Sequence, residues 1–81
     1  PNISSMKDLK TGMKLPGVVT NITQFGAFVD IGIKENGLLH LSQMGAGYVA
    51  DPHEVVAVNQ QLTVEVIGID MDRKRIQLSI K

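Results

Sequence analysis

The chain has 81 residues, a hydrophobic fraction of 43%, no cysteine and a formal net charge of zero. This length suits one small domain, and the hydrophobic fraction excludes an intrinsically disordered chain. The lack of cysteine excludes disulfides, thiolate metal sites and thiol catalysis. No apolar run approaches the ~20 residues of a membrane helix. We therefore expect a cytoplasmic domain with no secretory signal and no membrane partner.

The charge is balanced overall but not along the chain. Zero net charge argues against a dedicated nucleic-acid binder, because such domains usually carry a basic excess. Arg73, Lys74 and Arg75 nevertheless form a basic cluster at a predicted turn beside a strand. The distribution of charge is more informative than its sum, so nucleic acid remains a candidate partner.

The domain organisation is simple. The chain begins at Pro1 rather than methionine, so we expect a domain of a longer protein. Residues 1–6 are predicted to be a polar tail or linker, and residues 7–81 a folded domain that is monomeric in isolation. No segment has the spacing of a metal site or a phosphate-binding loop, so no metal or cofactor is expected.

Alternating apolar residues predict three strands in the first half of the chain. The first strand covers about residues 14–23, and a three-residue step from Val19 to Ile22 indicates a bulge or strong bend. The second covers about residues 26–31 and the third about residues 38–41. A glycine-bounded turn joins the second strand to the third.

The second half contains a helix-start signal and two more strands. Asp51 can cap a helix that starts at Pro52, which predicts one or two helical turns to about Val58. The fourth strand covers about residues 61–70, with a bend permitted by Gly68. The fifth strand runs from Arg75 to Ile80. Its predicted outward-facing residues are Arg75, Gln77 and Ser79.

Five short, bent strands of this kind remove their sheet edges by curling into a closed barrel. The predicted fold is therefore all-β: a five-stranded antiparallel barrel with a short helical turn between the third and fourth strands.

Phe25 and Phe28 are the two phenylalanines of the chain, and the strand pattern places Phe28 at the surface. Side chains alternate between the two faces of a strand, which puts Phe28 on the same face as Asp30. Burying an unpaired carboxylate is costly, so this face should meet water. A one-residue register slip would bury Phe28, but it would also bury Asp30. Phe25 precedes a flexible glycine and is also expected at the surface.

Four segments resemble, in order and spacing, the S1 RNA-binding domain, a five-stranded barrel of the oligonucleotide-binding fold. They are Gly17-Val18-Val19, Phe25-Gly26-Ala27-Phe28-Val29, Gly37-Leu38-Leu39-His40-Leu41-Ser42 and Arg75-Ile76-Gln77-Leu78-Ser79. The resemblance covers roughly residues 7–81. Residues 51–56 and 69–76 are most similar to the C-terminal S1 domain of Tex-type transcription accessory proteins.

This resemblance implies a nucleic-acid surface made of two aromatic residues, a histidine, an aspartate and an arginine. The matching positions are Phe25, Phe28, His40, Asp70 and Arg75. Further candidates are Lys34, Arg73 and Lys74 for looser phosphate attraction, and Tyr48 as a residue that packs on the barrel or widens the surface. From the residues alone, His40 could equally be an ordinary polar strand residue. Asp70 could orient Arg75, contact a base or ribose, or simply shape its turn.

The predicted function is sequence-tolerant binding of single-stranded RNA, and of single-stranded DNA as a further option, within a larger transcription- or RNA-associated protein. Exposed aromatic rings would stack on bases while Arg and Lys contact phosphates. The alternative is a protein or interdomain docking module that uses the same aromatic surface. No nucleophile or oxyanion donor set accompanies the candidate residues, so catalysis is not expected.

Overall fold

A computed structural model describes residues 5–45 and 51–80. Five strands form a closed barrel in the spatial order β1-β2-β3-β5-β4. Their bounds are Lys14–Thr23 for β1, Gly26–Asp30 for β2, Gly37–His40 for β3, Gln61–Asp70 for β4 and Arg75–Ser79 for β5. Single 3₁₀ turns lie at Met6–Asp8, Leu41–Gln43 and Pro52–Glu54. No helix in this part of the chain is long and apolar enough to cross a membrane.

The barrel is a mixed sheet, which corrects the prediction of a purely antiparallel one. β3 and β5 are parallel, with Gly37 paired to Ile76 and Leu39 to Leu78, whereas the other four neighbouring pairs are antiparallel. A closed ring with an odd number of strands cannot alternate direction at every step. A five-stranded barrel must therefore contain a parallel pair.

The two predicted bends are confirmed as register shifts in the long strands. β1 shifts register against β2 between Val19 and Asn21, and β4 shifts against β5 between Val66 and Gly68. Each shift adds a residue to one strand and increases its local twist. These two bends allow β1 and β4 to curve around the barrel.

The barrel interior is filled by aliphatic side chains from all five strands. Those with no exposed surface are Val19, Ala27, Val29, Leu39, Val64, Val66 and Leu78. Met6 is also buried against this core, although the sequence interpretation placed it in a polar tail. Its burial shows that the packed unit includes the 3₁₀ turn before β1.

The helical segment after Asp51 is shorter than predicted. The Asp51 carboxylate accepts the His53 N–H at 3.0 Å as a cap, but the 3₁₀ turn ends at Glu54 rather than near Val58. The chain beyond it bonds to β1 instead, because the Asn59 N–H donates to the Val19 carbonyl at 2.7 Å. Tertiary pairing with β1 therefore replaces a second helical turn.

Ser79 is buried, with 6% of its surface exposed, although strand alternation predicted an outward position. The Ile80 N–H donates to the Gln43 carbonyl at 3.0 Å, which holds the 3₁₀ turn at Leu41–Gln43 against the end of β5. At the end of β5, the 3₁₀ turn covers a side chain that strand alternation alone would leave exposed.

Candidate nucleic-acid interface

One row of paired residues crosses the outer surface of the barrel from β1 to β4. Directly paired residues on neighbouring strands point to the same face of a sheet. The strand register therefore connects, in order, Asn21, Phe28, Leu38, Gln77 and Gly68. Leu38 and Gly68 are partly exposed, and the other three are exposed. We call this set the outer row.

Phe28 lies in the outer row and is exposed, as the sequence predicted. Its side chain is 37% exposed and Asp30 is also exposed, so the one-residue register slip does not occur. The Thr20 hydroxyl donates to the Phe28 carbonyl at 3.2 Å, which ties the backbone beneath the ring to β1. The ring is therefore held on a rigid strand with part of its surface open to solvent.

Phe25 is more exposed than Phe28, at 62%, and lies in the turn between β1 and β2. Its N–H donates to the Thr23 hydroxyl at 3.2 Å, and its carbonyl accepts the Leu41 N–H at 2.9 Å. These bonds fix the backbone of Phe25 beside the end of β3. The exposed ring of Phe25 is therefore attached to a backbone that two hydrogen bonds hold in place.

A groove begins beside Phe28. Its larger part has a cavity volume of about 770 Å³ and is lined by Phe28, Leu38 and the basic cluster at residues 73–75, among others. Its smaller part, about 250 Å³, is lined by His40, Leu38 and Gln77, among others. Leu38 and Gln77 line both parts. Phe28, the basic cluster and His40 therefore lie along one continuous surface, which we call the groove.

His40 is exposed at the far end of the groove, and its ring is oriented by Ser42. The Ser42 backbone N–H donates to Nδ1 of His40 at 3.1 Å, and the Ser42 hydroxyl lies 2.9 Å from the same nitrogen. A backbone amide can only donate, so Nδ1 acts as the acceptor and the neutral ring carries its proton on Nε2. The remaining ring donor is therefore the Nε2–H group.

Asp70 shapes the turn that carries the basic cluster. One carboxylate oxygen accepts the N–H groups of Asp72 and Arg73, each at 3.1 Å, and the other lies 4.0 Å from Nε of Arg73. Asp70 pairs with Arg75 across the strands, but its ion pair is with Arg73. These contacts are those of a residue that shapes its turn, which is one of the three roles that the sequence allowed for Asp70.

The two remaining cations of the cluster are available to a ligand. Within residues 5–45 and 51–80, neither the Arg75 guanidinium nor the Lys74 ammonium makes an ion pair or hydrogen bond. Lys74 also has a φ of +54°, a left-handed conformation that side-chain-bearing residues adopt at a cost. A basic residue thus occupies a groove position where glycine would be less strained.

Not every candidate lies in the groove, and Phe25 lines neither of its two parts. Lys34 is exposed in the connection between β2 and β3 but does not line the groove. Tyr48 falls outside the described residues. Among the described residues, no group of three or more His, Asp or Glu side chains is arranged to hold a metal ion.

Comparison with known proteins identifies this barrel. The family model for the S1 RNA binding domain matches residues 8–81. The chain belongs to the S1 RNA-binding domain family. Protein Tex of Bordetella pertussis is 47% identical to this S1 domain over 79 residues, which cover 98% of the chain and 10% of that protein. The predicted resemblance to Tex-type proteins is thereby confirmed, and the chain spans about a tenth of the length of these relatives.

Other relatives show how widely this S1 fold is used. Small ribosomal subunit protein bS1 of Mycobacterium tuberculosis is 45% identical over 76 residues, covering 94% of the chain and 16% of that protein. The solution structure of GSP13 from Bacillus subtilis has a TM-score of 0.84 at 31% identity, covering 96% of this chain and 58% of that one. RNase R of Mycoplasma genitalium shares the fold, with a TM-score of 0.68 at 19% identity, covering 88% of this chain and 13% of that one.

Sequence reasoning missed several groove residues of this S1 domain as candidates for binding. They include Asn21, Asn36, Leu38 and Gln77. Alternation identified Gln77 as outward-facing, but it could not show that Gln77 lies two strands from Phe28. That proximity depends on the parallel pairing of β3 with β5, which no local pattern in the sequence reveals.

The S1 domain also contains an aspartate with a perturbed pKa, outside the groove. The pKa of Asp51 is lowered, mainly because its carboxylate accepts the His53 backbone N–H and also contacts the His53 ring. Both groups are exposed, so solvent weakens the interaction. This pair stabilises the 3₁₀ turn rather than contributing to the groove.

Proposed function

We propose that this S1 domain binds single-stranded RNA in and beside the groove, with bases stacked on Phe28 and His40 in the groove and on Phe25 beside the end of β3, and with phosphates bound by the basic cluster. The observation that carries the proposal is that Phe28 and residues 73–75 line the same cavity. An aromatic ring beside several cations matches a strand of nucleic acid, which presents flat bases along one side and phosphates along the other.

Stacking supplies the sequence-tolerant part of the affinity. Phe28 and Leu38 are paired across β2 and β3, so their side chains lie about 5 Å apart and together form an apolar platform. Stacking of a base on an aromatic side chain contributes about 1–3 kcal/mol, and every base has a face that can stack. The platform therefore accepts any base.

The basic cluster supplies the phosphate contacts. Arg75 lies at the start of β5, where its guanidinium can donate two hydrogen bonds to one phosphate. Lys74 and Arg73 add positive charge to the same cavity. Because the net charge of the chain is zero, this attraction comes from the local cluster and not from an overall positive charge.

The affinity of the isolated domain should be weak. Two or three stacked bases contribute several kcal/mol, from which association costs of at least ~4 kcal/mol are subtracted. Micromolar binding requires about −8 kcal/mol. We therefore expect a Kd of tens of micromolar or weaker, and we place the domain as one binding arm of a longer cytoplasmic protein in which a second contact raises the avidity. Single-stranded DNA offers the same bases and phosphates, so we expect it to bind as well.

The proposal is tested by an NMR titration of the amide resonances with a short single-stranded RNA. Amides at Phe25, Phe28, His40 and Arg75 should shift in a concentration-dependent way, whereas Val58, an exposed apolar residue that lines neither part of the groove, should not. Arg75→Ala should weaken RNA binding. Lys14→Ala, the matched control, should not, because Lys14 is an exposed cation outside the groove. Equal loss of binding in both variants, or shifts confined to other surfaces, would refute the proposal.

The competing function, docking of another protein on the same aromatic surface, is distinguished by salt. RNA binding should weaken steeply as ionic strength rises, because phosphate contacts release counterions. A hydrophobic protein interface would respond little. Absence of any RNA-dependent shift, together with salt-insensitive binding of another domain of the parent protein, would favour docking instead.

A further inference from the structure

We propose that Gln77 reads the edge of a base on the platform and gives this S1 domain a preference for adenine. This inference rests on the proposed function, because it concerns the base that occupies the groove beside Phe28 and Leu38. Stacking accepts every base, whereas this contact of Gln77 would discriminate among bases that stack equally well.

The position of Gln77 in the outer row is the first observation. Leu38 is paired with Phe28 on one side and with Gln77 on the other, so the three side chains lie in line across β2, β3 and β5. Neighbouring strands are about 4.8 Å apart, which puts Gln77 two strand spacings from the ring. A base that lies flat across the platform therefore presents an edge toward Gln77.

The space occupied by the Gln77 side chain is the second observation. A Cβ placed on Gly68 would lie 3.1 Å from Oε1 and 3.5 Å from Cδ of Gln77, so the carboxamide lies over the backbone of β4 where that strand lacks a side chain. Gln77 is exposed and lines both parts of the groove. The amide is thus held on the β4 side of β5, where a base that extends beyond Leu38 would meet it.

The free hydrogen-bonding capacity of Gln77 is the third observation. Its carboxamide makes no hydrogen bond with any residue in the described ranges, so both its oxygen and its NH₂ group remain available. Asn21, at the β1 end of the outer row, differs because its Oδ1 already accepts the Ile22 N–H at 2.9 Å. Gln77 can therefore offer a donor and an acceptor together, whereas Asn21 offers mainly its donors.

Adenine is the base that fits these groups best. A glutamine amide can accept from the adenine N6 amino group while donating to N7, which is a bidentate pair. On this same Hoogsteen edge guanine presents two acceptors, N7 and O6, which cannot satisfy the amide oxygen, so the proposed preference applies to a base that turns its Hoogsteen edge toward Gln77. A pyrimidine has a single ring and extends less far from the platform. Protein contacts to single-stranded bases commonly use these exposed edges.

The test compares two hexanucleotides, oligoadenylate and the corresponding oligomer of purine riboside, which has the same fused rings but lacks the N6 amino group. Wild-type protein should bind oligoadenylate about fivefold more tightly, at the low end expected for a bidentate pair because the groove is open to water. Gln77→Met keeps the length of the side chain without its amide, and it should bind both oligomers equally. Its affinity for the purine riboside oligomer should fall less than its affinity for oligoadenylate, because purine riboside keeps N7 but lacks the N6 amino group.

Each remaining outcome contradicts a specific claim. If wild-type protein binds both oligomers equally, or if Gln77→Met retains the preference, Gln77 does not read the base although the proposed RNA binding stands. If wild-type protein binds neither oligomer, the proposed function fails together with this inference. An amide spectrum of Gln77→Met that overlays the wild-type spectrum away from the groove confirms that the variant is folded.

Discussion

Replacement of Phe28 separates packing from RNA recognition. We predict that Phe28→Ala leaves the barrel folded but weakens binding of single-stranded RNA, and that Phe28→Leu has the same effect on binding with a smaller loss of stability. Leucine fills much of the same apolar volume but has no flat face for a base. The pair of variants therefore tests whether the ring itself is required.

The expected loss of stability follows from the exposure of the ring. Phe28 is 37% exposed, so alanine removes roughly two-thirds of the burial of a phenylalanine, or about 1–2 kcal/mol. A chain of 81 residues should have a free energy of unfolding of about 4–12 kcal/mol. The alanine variant should therefore stay folded, and the leucine variant should lose less than about 1.5 kcal/mol.

The expected loss of affinity follows from stacking. Removal of one aromatic–base contact costs about 1–3 kcal/mol, which corresponds to roughly fivefold to hundredfold weaker binding. The ring of Phe28 is partly covered by its neighbours, so we expect the lower part of this range. Both Phe28 variants should show it, because neither retains the aromatic face.

Urea unfolding measures the stability of each variant, and fluorescence anisotropy with a labelled single-stranded RNA measures its Kd. Val58→Ala serves as a control, because Val58 is an exposed apolar residue that does not line the groove. The reasoning would be refuted if Phe28→Leu bound RNA as tightly as the wild type. It would also fail if Phe28→Ala unfolded, because Phe28 would then be a core residue.

Three further outcomes follow from the same structure. The logarithm of the RNA association constant should fall with the logarithm of salt concentration with a slope of about −1.5 to −2. Lys74→Gly should reduce the magnitude of this slope by about 0.7 and raise the free energy of unfolding by about 1 kcal/mol. An unchanged slope would exclude Lys74 from phosphate contact. Gly26→Ala should lower stability by about 1–3 kcal/mol in urea because its Cβ would collide with the Leu39 carbonyl, whereas Gly68→Ala meets only the flexible Gln77 side chain and should cost less. The carboxyl of Asp51, followed by NMR, should titrate below the usual aspartate pKa, so that its stabilising contribution is present above the unfolded pKa and is lost as pH falls through the folded one. His53→Ala should raise that midpoint only in part, because the backbone N–H at position 53 remains; a midpoint at the ordinary value in wild-type protein would contradict the observed cap.

Local pattern was enough to predict the strands, because alternation and its interruptions are properties of neighbouring residues. The three-residue step from Val19 to Ile22 appears in the structure as a bulge, and Gly68 marks a second one. Exposure of Phe28 followed from the cost of burying Asp30. Each of these predictions required only the chemistry of one strand.

Features that depend on contacts between distant segments could not be predicted in this way. The turn after Asp51 is short because Asn59 bonds to β1, and Ser79 is buried where the 3₁₀ turn at Leu41–Gln43 crosses the end of β5. The placement of Gln77 beside the platform depends on the parallel β3–β5 pair. The parity of a closed five-stranded ring does require one parallel pair, but it does not specify which strands form it.

The most direct test of base stacking on this S1 domain is a search for intermolecular nuclear Overhauser effects between RNA base protons and aromatic ring protons of the protein. We expect cross-peaks from base protons to the rings of Phe28 and Phe25, with further contacts to Leu38. Cross-peaks that instead join the RNA to Val55 and Val58, with none to either phenylalanine, would contradict it.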